Sequence, residues 1–154
     1  MTLAITSQNV INFIVQDSRN VGFLSIRQSF PGANQPLLDA ANNVSGPGFG
    51  SVAGDPISAT DFLDLLDATE FNALTTAQLA QVNTLMAPGT ITMGSSRTQE
   101  KLNAILANYA TSLAAVQAKY TRSGSPWEMT FGKGSVADNE TLNTARNSGS
   151  GNNF

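Results

Sequence analysis

The chain has 154 residues, 41% hydrophobic and only 12% charged, with a net charge of −3, no cysteine and no histidine. That length suits one domain with its own core, and the charge density is about half that of an ordinary soluble domain. Eight scattered basic residues exclude a phosphate-tracking surface, and the missing thiol and imidazole exclude disulfides, thiolate or histidine metal sites and the triads of nucleophilic catalysis.

From Ser7 to Asp17 the apolar residues Val10, Ile11, Ile14 and Val15 recur at helical spacing behind Thr6 or Ser7, which predicts a first helix with one buried stripe. A second short helix is expected over 24–30, ended by Pro31-Gly32. A third starts at Pro36, a residue favoured at the first helical position, and runs through Leu37, Leu38 and Ala41 to Asn42-Asn43. Residues 44–57 hold Gly46, Pro47, Gly48, Gly50, Gly54 and Pro56, which disfavour helix and strand interiors, so a long loop is expected.

Ser58 and Asp61 have capping-box spacing ahead of Phe62, Leu65 and Leu66. Thr75 and Gln78 repeat the device before Leu79, Val82, Leu85 and Met86, with Pro88-Gly89 closing that helix. Ser96 and Gln99 do so again before Leu102, Ile105 and Leu106. A further helical stretch runs from Thr111 to Tyr120, and Thr90–Met93 reads as a short extended piece that makes no sheet alone. Ser125-Pro126-Trp127-Glu128 combines a cap, a Pro at the first helical position and an acid three residues after the cap. Ser135 and Asp138 open a last helix reaching Arg146. Residues 147–154 are Gly/Ser/Asn-rich and are expected to form a flexible tail. The fold expected from this pattern is all-α. It is a bundle of short capped helices with long Gly/Pro-rich loops, forming a single domain over 1–146 with a loop at 44–57 and a tail at 147–154.

Asp61, Asp64, Asp67 and Glu70 form the one carboxylate cluster. Such spacing on a helix can offer oxygens to a hard cation or an acid/base pair. The interleaved Phe62, Leu65 and Leu66 make the acids the wet face of an amphipathic helix instead, and no metal, cofactor or catalytic residue is expected. Gly46–Gly50 and Gly132-Lys133-Gly134-Ser135 lack the spacing of a phosphate loop. Phe13, Phe23, Phe30, Phe62 and Phe71 are core candidates. Trp127, directly after a cap and Pro, is read as packed beneath its helix and otherwise as a binding aromatic. Phe49 and Phe154 sit among glycines and in a polar tail, where a large apolar side chain either docks into a partner or has no role beyond its own segment. The candidate partner-docking residues are thus Phe49, Phe154 and Trp127.

Uncharged Asn, Ser, Thr and Gln occupy 53 positions. A free monomer usually keeps itself soluble with charge, so a surface of this kind suits burial under neighbours. No stretch approaches the roughly 18 apolar residues of a membrane span, and the N-terminus lacks the pattern of a secretory signal. The expectation is a soluble protein made in a cytoplasm.

Three ordered segments carry a resemblance. The first comprises Asp17-Ser18-Arg19-Asn20-Val21-Gly22-Phe23 with the helix bearing Leu37, Leu38, Ala40 and Asn42. The second is Glu70-Phe71-Asn72-Ala73-Leu74-Thr75-Thr76-Ala77-Gln78. The third is Ser125-Pro126-Trp127-Glu128 leading to Phe131-Gly132-Lys133-Gly134 and a final helix ending Ala145-Arg146. In their order these resemble a family of small proteins encoded among the virion genes of tailed bacteriophages. The Gly/Pro loop at 44–57 and the segment from Thr90 to Ser96 depart from that family. The resemblance implies a non-enzymatic structural subunit made in a bacterial host and carried in the virion. Within that class it points to a ring-forming head-to-tail connector or neck adaptor between portal and tail, or else to a capsid-decorating or tail protein. The implied partners are further copies of the chain in a ring and portal or tail proteins, with no sequence-specific nucleic acid, no membrane and no cofactor. A small binding module or regulator is the reading from another class, and a lysis or cell-wall enzyme built on Asp61, Asp64 and Glu70 stands behind both.

Overall fold

A computed structural model of the chain describes residues 1–148 and Phe154. Most of the tail expected to be flexible, residues 149–153, therefore lies outside the described residues. Where one core over 1–146 was expected, the chain builds two. One unit combines Met1–Val52 with Ser123–Phe154, and the other is Ala53–Arg122. The expectation of a purely helical fold also needs correction. Among the described residues the fold is mainly helical but includes two two-stranded sheets.

The first unit holds α1 (Ser7–Gln16), α2 (Phe23–Ser29), α3 (Gln35–Ala41) and, from the far end of the sequence, α9 (Pro126–Phe131) and α10 (Asn139–Arg146). Thr6 caps α1, its hydroxyl accepting from Asn9 N at 3.2 Å, and the helix buries Val10, Ile11, Phe13 and Ile14. Val15, expected inside, stays exposed, because the stripe turns through Phe13 instead. Asp17 ends α1 in the left-handed region at φ 44°, a conformation Asp tolerates better than most residues. Its carboxylate accepts from Val21 N (2.7 Å), Gly22 N (2.8 Å) and Phe23 N (3.2 Å). One acid thereby stops α1 and starts α2, whose own N-cap, Gly22, has no side chain to offer.

Phe13 is the hub of this core. It meets Phe23 at 5.0 Å, Trp127 at 5.4 Å and Phe131 at 5.5 Å, all edge-on, the geometry the ring quadrupole favours. Phe30, expected in the core, is 55% exposed, since it lies past the last turn of α2. Asn42 closes the unit across a long sequence separation. Its amide donates to Ala137 O and accepts from Ala137 N, both at 2.9 Å.

The second unit contains α4 (Ala59–Leu65), α5 (Ala68–Asn72), α6 (Thr76–Met86), α7 (Ser96–Ile105) and α8 (Ala110–Gln117). Its core gathers Phe62, Val82, Met93, Leu102, Leu106 and Val116. Between these helices β2 (Ile57–Ser58) pairs antiparallel with β3 (Thr90–Ile91), aligning Ile57 with Ile91 and Ser58 with Thr90. The extended piece expected at Thr90 thus finds its partner in sequence read as loop. The capping box of Thr75 and Gln78 is complete. Ser96 is not a cap, however. The N-cap is Ser95, which makes no side-chain cap bond, and the Gln99 amide donates to Met93 O at 2.9 Å. At the end of the first unit the cap of α10 is likewise Asp138 rather than Ser135, whose hydroxyl donates to Gly132 O instead.

The stretch 44–57 is not wholly irregular either. Residues Gly50–Ala53 form β1, which pairs with β4 (Thr121–Gly124). Close backbone approach explains why glycines stand here. A Cβ on Gly54 would lie 1.9 Å from Lys119 O, and one on Gly124 would lie 2.5 Å from a Val52 methyl.

Candidate functional site

The carboxylate cluster does not share one helix face. Leu66 leaves helical geometry at ψ 129°, so α4 ends before Asp67, and Asp67 becomes the N-cap of α5 with its Oδ1 accepting from Glu70 N at 3.0 Å. Glu70 turns to another helix. Its two carboxylate oxygens accept from Thr111 N (3.0 Å) and Ser112 N (2.7 Å), the uncapped first turn of α8. Ser112 Oγ in turn accepts from Asp67 N at 2.9 Å. Hydrogen bonding from Ser112, side chain before main chain, holds the Glu70 carboxyl below its usual range. These two acids act as helix caps, satisfying amides that would otherwise lack partners. Asp61 and Asp64 stay on the wet face of α4. Among the described residues no group of three or more His, Cys, Asp or Glu side chains is placed to hold a metal ion.

The glycine segments have equally local occupations. Asn43 Oδ1 accepts from Ser45 N and Gly46 N, both at 3.0 Å. Gly48 sits at φ 81° with its carbonyl accepting from Arg19 Nε at 2.8 Å. In the later segment, buried Glu128 completes the capping box of α9 and reaches on to Gly134 N with its other oxygen at 2.8 Å. An amide already given to a carboxylate or an Asn oxygen does not cradle a phosphate.

The three expected docking residues separate. Trp127 is fully buried, 4.2 Å from the Phe131 ring, and presents no face to a partner. Its Nε1 has no hydrogen-bond partner among the described residues. Phe49 is 51% exposed and remains a surface aromatic. Phe154 is half-buried against the core of the first unit, its ring 4.7 Å from the Arg146 guanidinium carbon and its main-chain oxygen accepting from Arg146 Nη1.

Sequence reasoning missed the receptor of Phe154. Arg146 Nε donates to Asn34 Oδ1 at 2.8 Å and an Nη to Ala33 O at 3.4 Å. The Asn34 amide nitrogen bridges Asn139 Oδ1 (2.6 Å) and Asn143 Oδ1 (2.7 Å) on α10. Burial lowers the Arg146 pKa. The i, i+4 spacing of Asn139 and Asn143 was readable, but the partner a hundred residues earlier was not.

Other surface features are apolar. Leu24, Phe30 and Val136 in the first unit are each more than half exposed. In the second unit an open cleft of about 260 Å³ is lined by Gln81, Thr84, Leu85, Lys101, Ala104 and Ile105. No helix among the described residues is long and apolar enough to cross a membrane. Compared with known proteins, the chain matches no family model, no curated protein and no solved structure.

Proposed function

We propose that this chain is a non-enzymatic structural subunit of a tailed-phage virion, a head-to-tail connector or neck adaptor repeated in a ring between portal and tail. The reading rests on one observation above the rest. Large apolar side chains stand in water at Leu24, Phe30, Phe49 and Val136 on a chain with 12% charged residues. Such side chains gain free energy when a neighbour covers them, and sparse charge leaves few ions to be stranded in the interface. A ring needs two different faces on each subunit, and exposed apolar residues occur on both units. The ordered motif resemblance supplies the virion setting, and the use of Asp67 and Glu70 as helix caps fits a role without catalysis.

Mass spectrometry of particles from a phage encoding the chain tests the proposal, the expected result being many copies per virion. Absence from the particle overturns it. Electron microscopy of the chain mixed with portal protein then separates the neck position, which predicts rings, from a capsid-decorating or tail position. The cleft beside Leu85 and Ile105 favours one reading from another class, a small binding module. A chain that stays monomeric with every virion component would favour that module.

A further inference from the structure

We propose that the cleft between α6 and α7 receives the exposed face of α4 from a second copy of this chain. The lining of this cleft, about 260 Å³ in volume, is apolar where it is deepest: Ile105 is buried, Leu85 half-buried, and Ala104 adds a methyl group. Thr84, also on the lining, turns its hydroxyl back to Ala80 O at 2.9 Å.

Cations edge the cleft. Lys101 lines it, and Arg97 stands four residues earlier on α7, one turn away on the same helix face. Both are exposed, and two like charges so placed disfavour the helix by themselves. Neither has an ion-pair or hydrogen-bond partner among the described residues. Glu100 lies about 100° round the helix from Lys101 and pairs with neither, while α6 carries no charged residue at all. What fits here is an apolar side chain accompanied by two carboxylates about one helical turn apart.

The chain itself displays that combination on α4. Asp61 and Asp64 are exposed and three residues apart, hence neighbours on the helix surface, and Leu63, 40% exposed, stands beside Asp64 on the wet side. Asp67 and Glu70 are taken up as helix caps, but the Asp61 and Asp64 carboxylates have no partner among the described residues. Charge and apolar surface thus match between two separate faces of one molecule, which names a second copy as the occupant. A hollow on one face and a matching projection on another make a heterologous contact, the kind that closes into rings or runs on into filaments. This contact deepens the ring reading of the preceding section and rests on it for closure. A single such contact is weak, because exposed charges are screened, and copies held side by side strengthen it through effective concentration.

Charge reversal tests the contact in the whole chain. Arg97→Glu with Lys101→Glu gives a chain acidic on both faces, and Asp61→Lys with Asp64→Lys gives one basic on both. Each alone should self-associate at least roughly tenfold more weakly than the unsubstituted chain, because like charges now meet. Mixed in equal amounts at submillimolar concentration, they restore opposite charges at every contact. The mixture should sediment as species larger than a monomer, an effect lost in about 1 M salt, where the screening length is about 3 Å. A mixture behaving as two monomers, with both variants folded by circular dichroism, overturns the proposal.

Asp61 lies in the first turn of α4, where an acid suits the helix dipole, so a second measurement covers loss of fold in that variant. In a dilution series of the unsubstituted chain, concentration-dependent amide shifts are expected at Leu63 and Asp64 together with Leu85 and Ile105. No shift, or shifts at the charged residues without Leu85 and Ile105, overturns the proposal. Absence of the chain from virions would defeat the ring reading and leave this contact standing, whereas failure of the mixed variants would do the opposite.

Discussion

Trp127 touches Phe13 edge-on and Phe131 at 4.2 Å, so truncating it removes two aromatic contacts and opens a cavity. Trp127→Ala is expected to cost about 3–5 kcal/mol, read as a lower urea midpoint. Trp127→Phe should cost distinctly less, because it keeps most of the ring contacts and removes an indole N–H that has no partner among the described residues. Charge at the residue scale gives a pH prediction. Hydrogen bonds from Ser112 hold Glu70 below the ordinary 4.5, and the Thr141 main chain and then its side chain hold Asp138 below 3.8. A depressed carboxyl adds stability that is complete above its unfolded pKa and is lost as pH falls through the lower folded one. With no histidine in the chain, urea midpoints should stay flat between about pH 6 and 8 and fall below about pH 4.5. Glu70→Gln should lower the midpoint at neutral pH and shallow the acid fall, since an amide has one acceptor oxygen for two N–H groups. An acid limb unchanged by that substitution would remove Glu70 from the account.

Helix starts were the most legible elements. Thr75-x-x-Gln78 and Ser125-x-x-Glu128 form complete capping boxes, because both partners lie within one turn and need nothing distant. Thr75→Ala should cost about 1 kcal/mol, measured by thermal or urea unfolding. The same pattern misled at Ser96 and Ser135. Each has another residue close by that takes the N-cap position, Ser95 and Asp138, and the choice fell to competing local bonds within six residues: Gln99 reaches back to Met93 O and Ser135 to Gly132 O. Strands β1 and β2 were illegible for a related reason. Glycine and proline argue against regular structure by propensity, but Gly54 and Gly124 are required where another segment comes within 2.5 Å of any added Cβ. Gly54→Ala should therefore destabilise by about 1–3 kcal/mol, and an unchanged midpoint would mean the strands can move apart freely.

On the scale of the whole molecule, two cores replace the one expected. Trp127 reports the first unit, while Tyr109 and Tyr120 belong to the second. Phe62, fully buried in the second core, gives a direct test. Phe62→Ala should cost about 3–5 kcal/mol and shift the tyrosine-monitored transition while the tryptophan-monitored one stays in place. Equal shifts of both would show that the two cores melt as one cooperative body. Among the docking candidates, Phe49 remains a surface aromatic. Trp127 went to the core, and Phe154 found a receptor in its own chain.

Composition and local spacing alone determined that the chain is mainly helical, where most helices begin, and that imidazole and thiol chemistry are closed to it. Each of these depends on residues within a turn of one another or on the bare presence of a functional group. The tertiary structure decided the division into two units, the pairing of the glycine-rich segments as strands, the use of Glu70 as a cap for α8, and the meeting of Asn34 with Arg146. These outcomes join residues tens to more than a hundred positions apart, and no local pattern encodes which distant group will satisfy a buried amide or a cation.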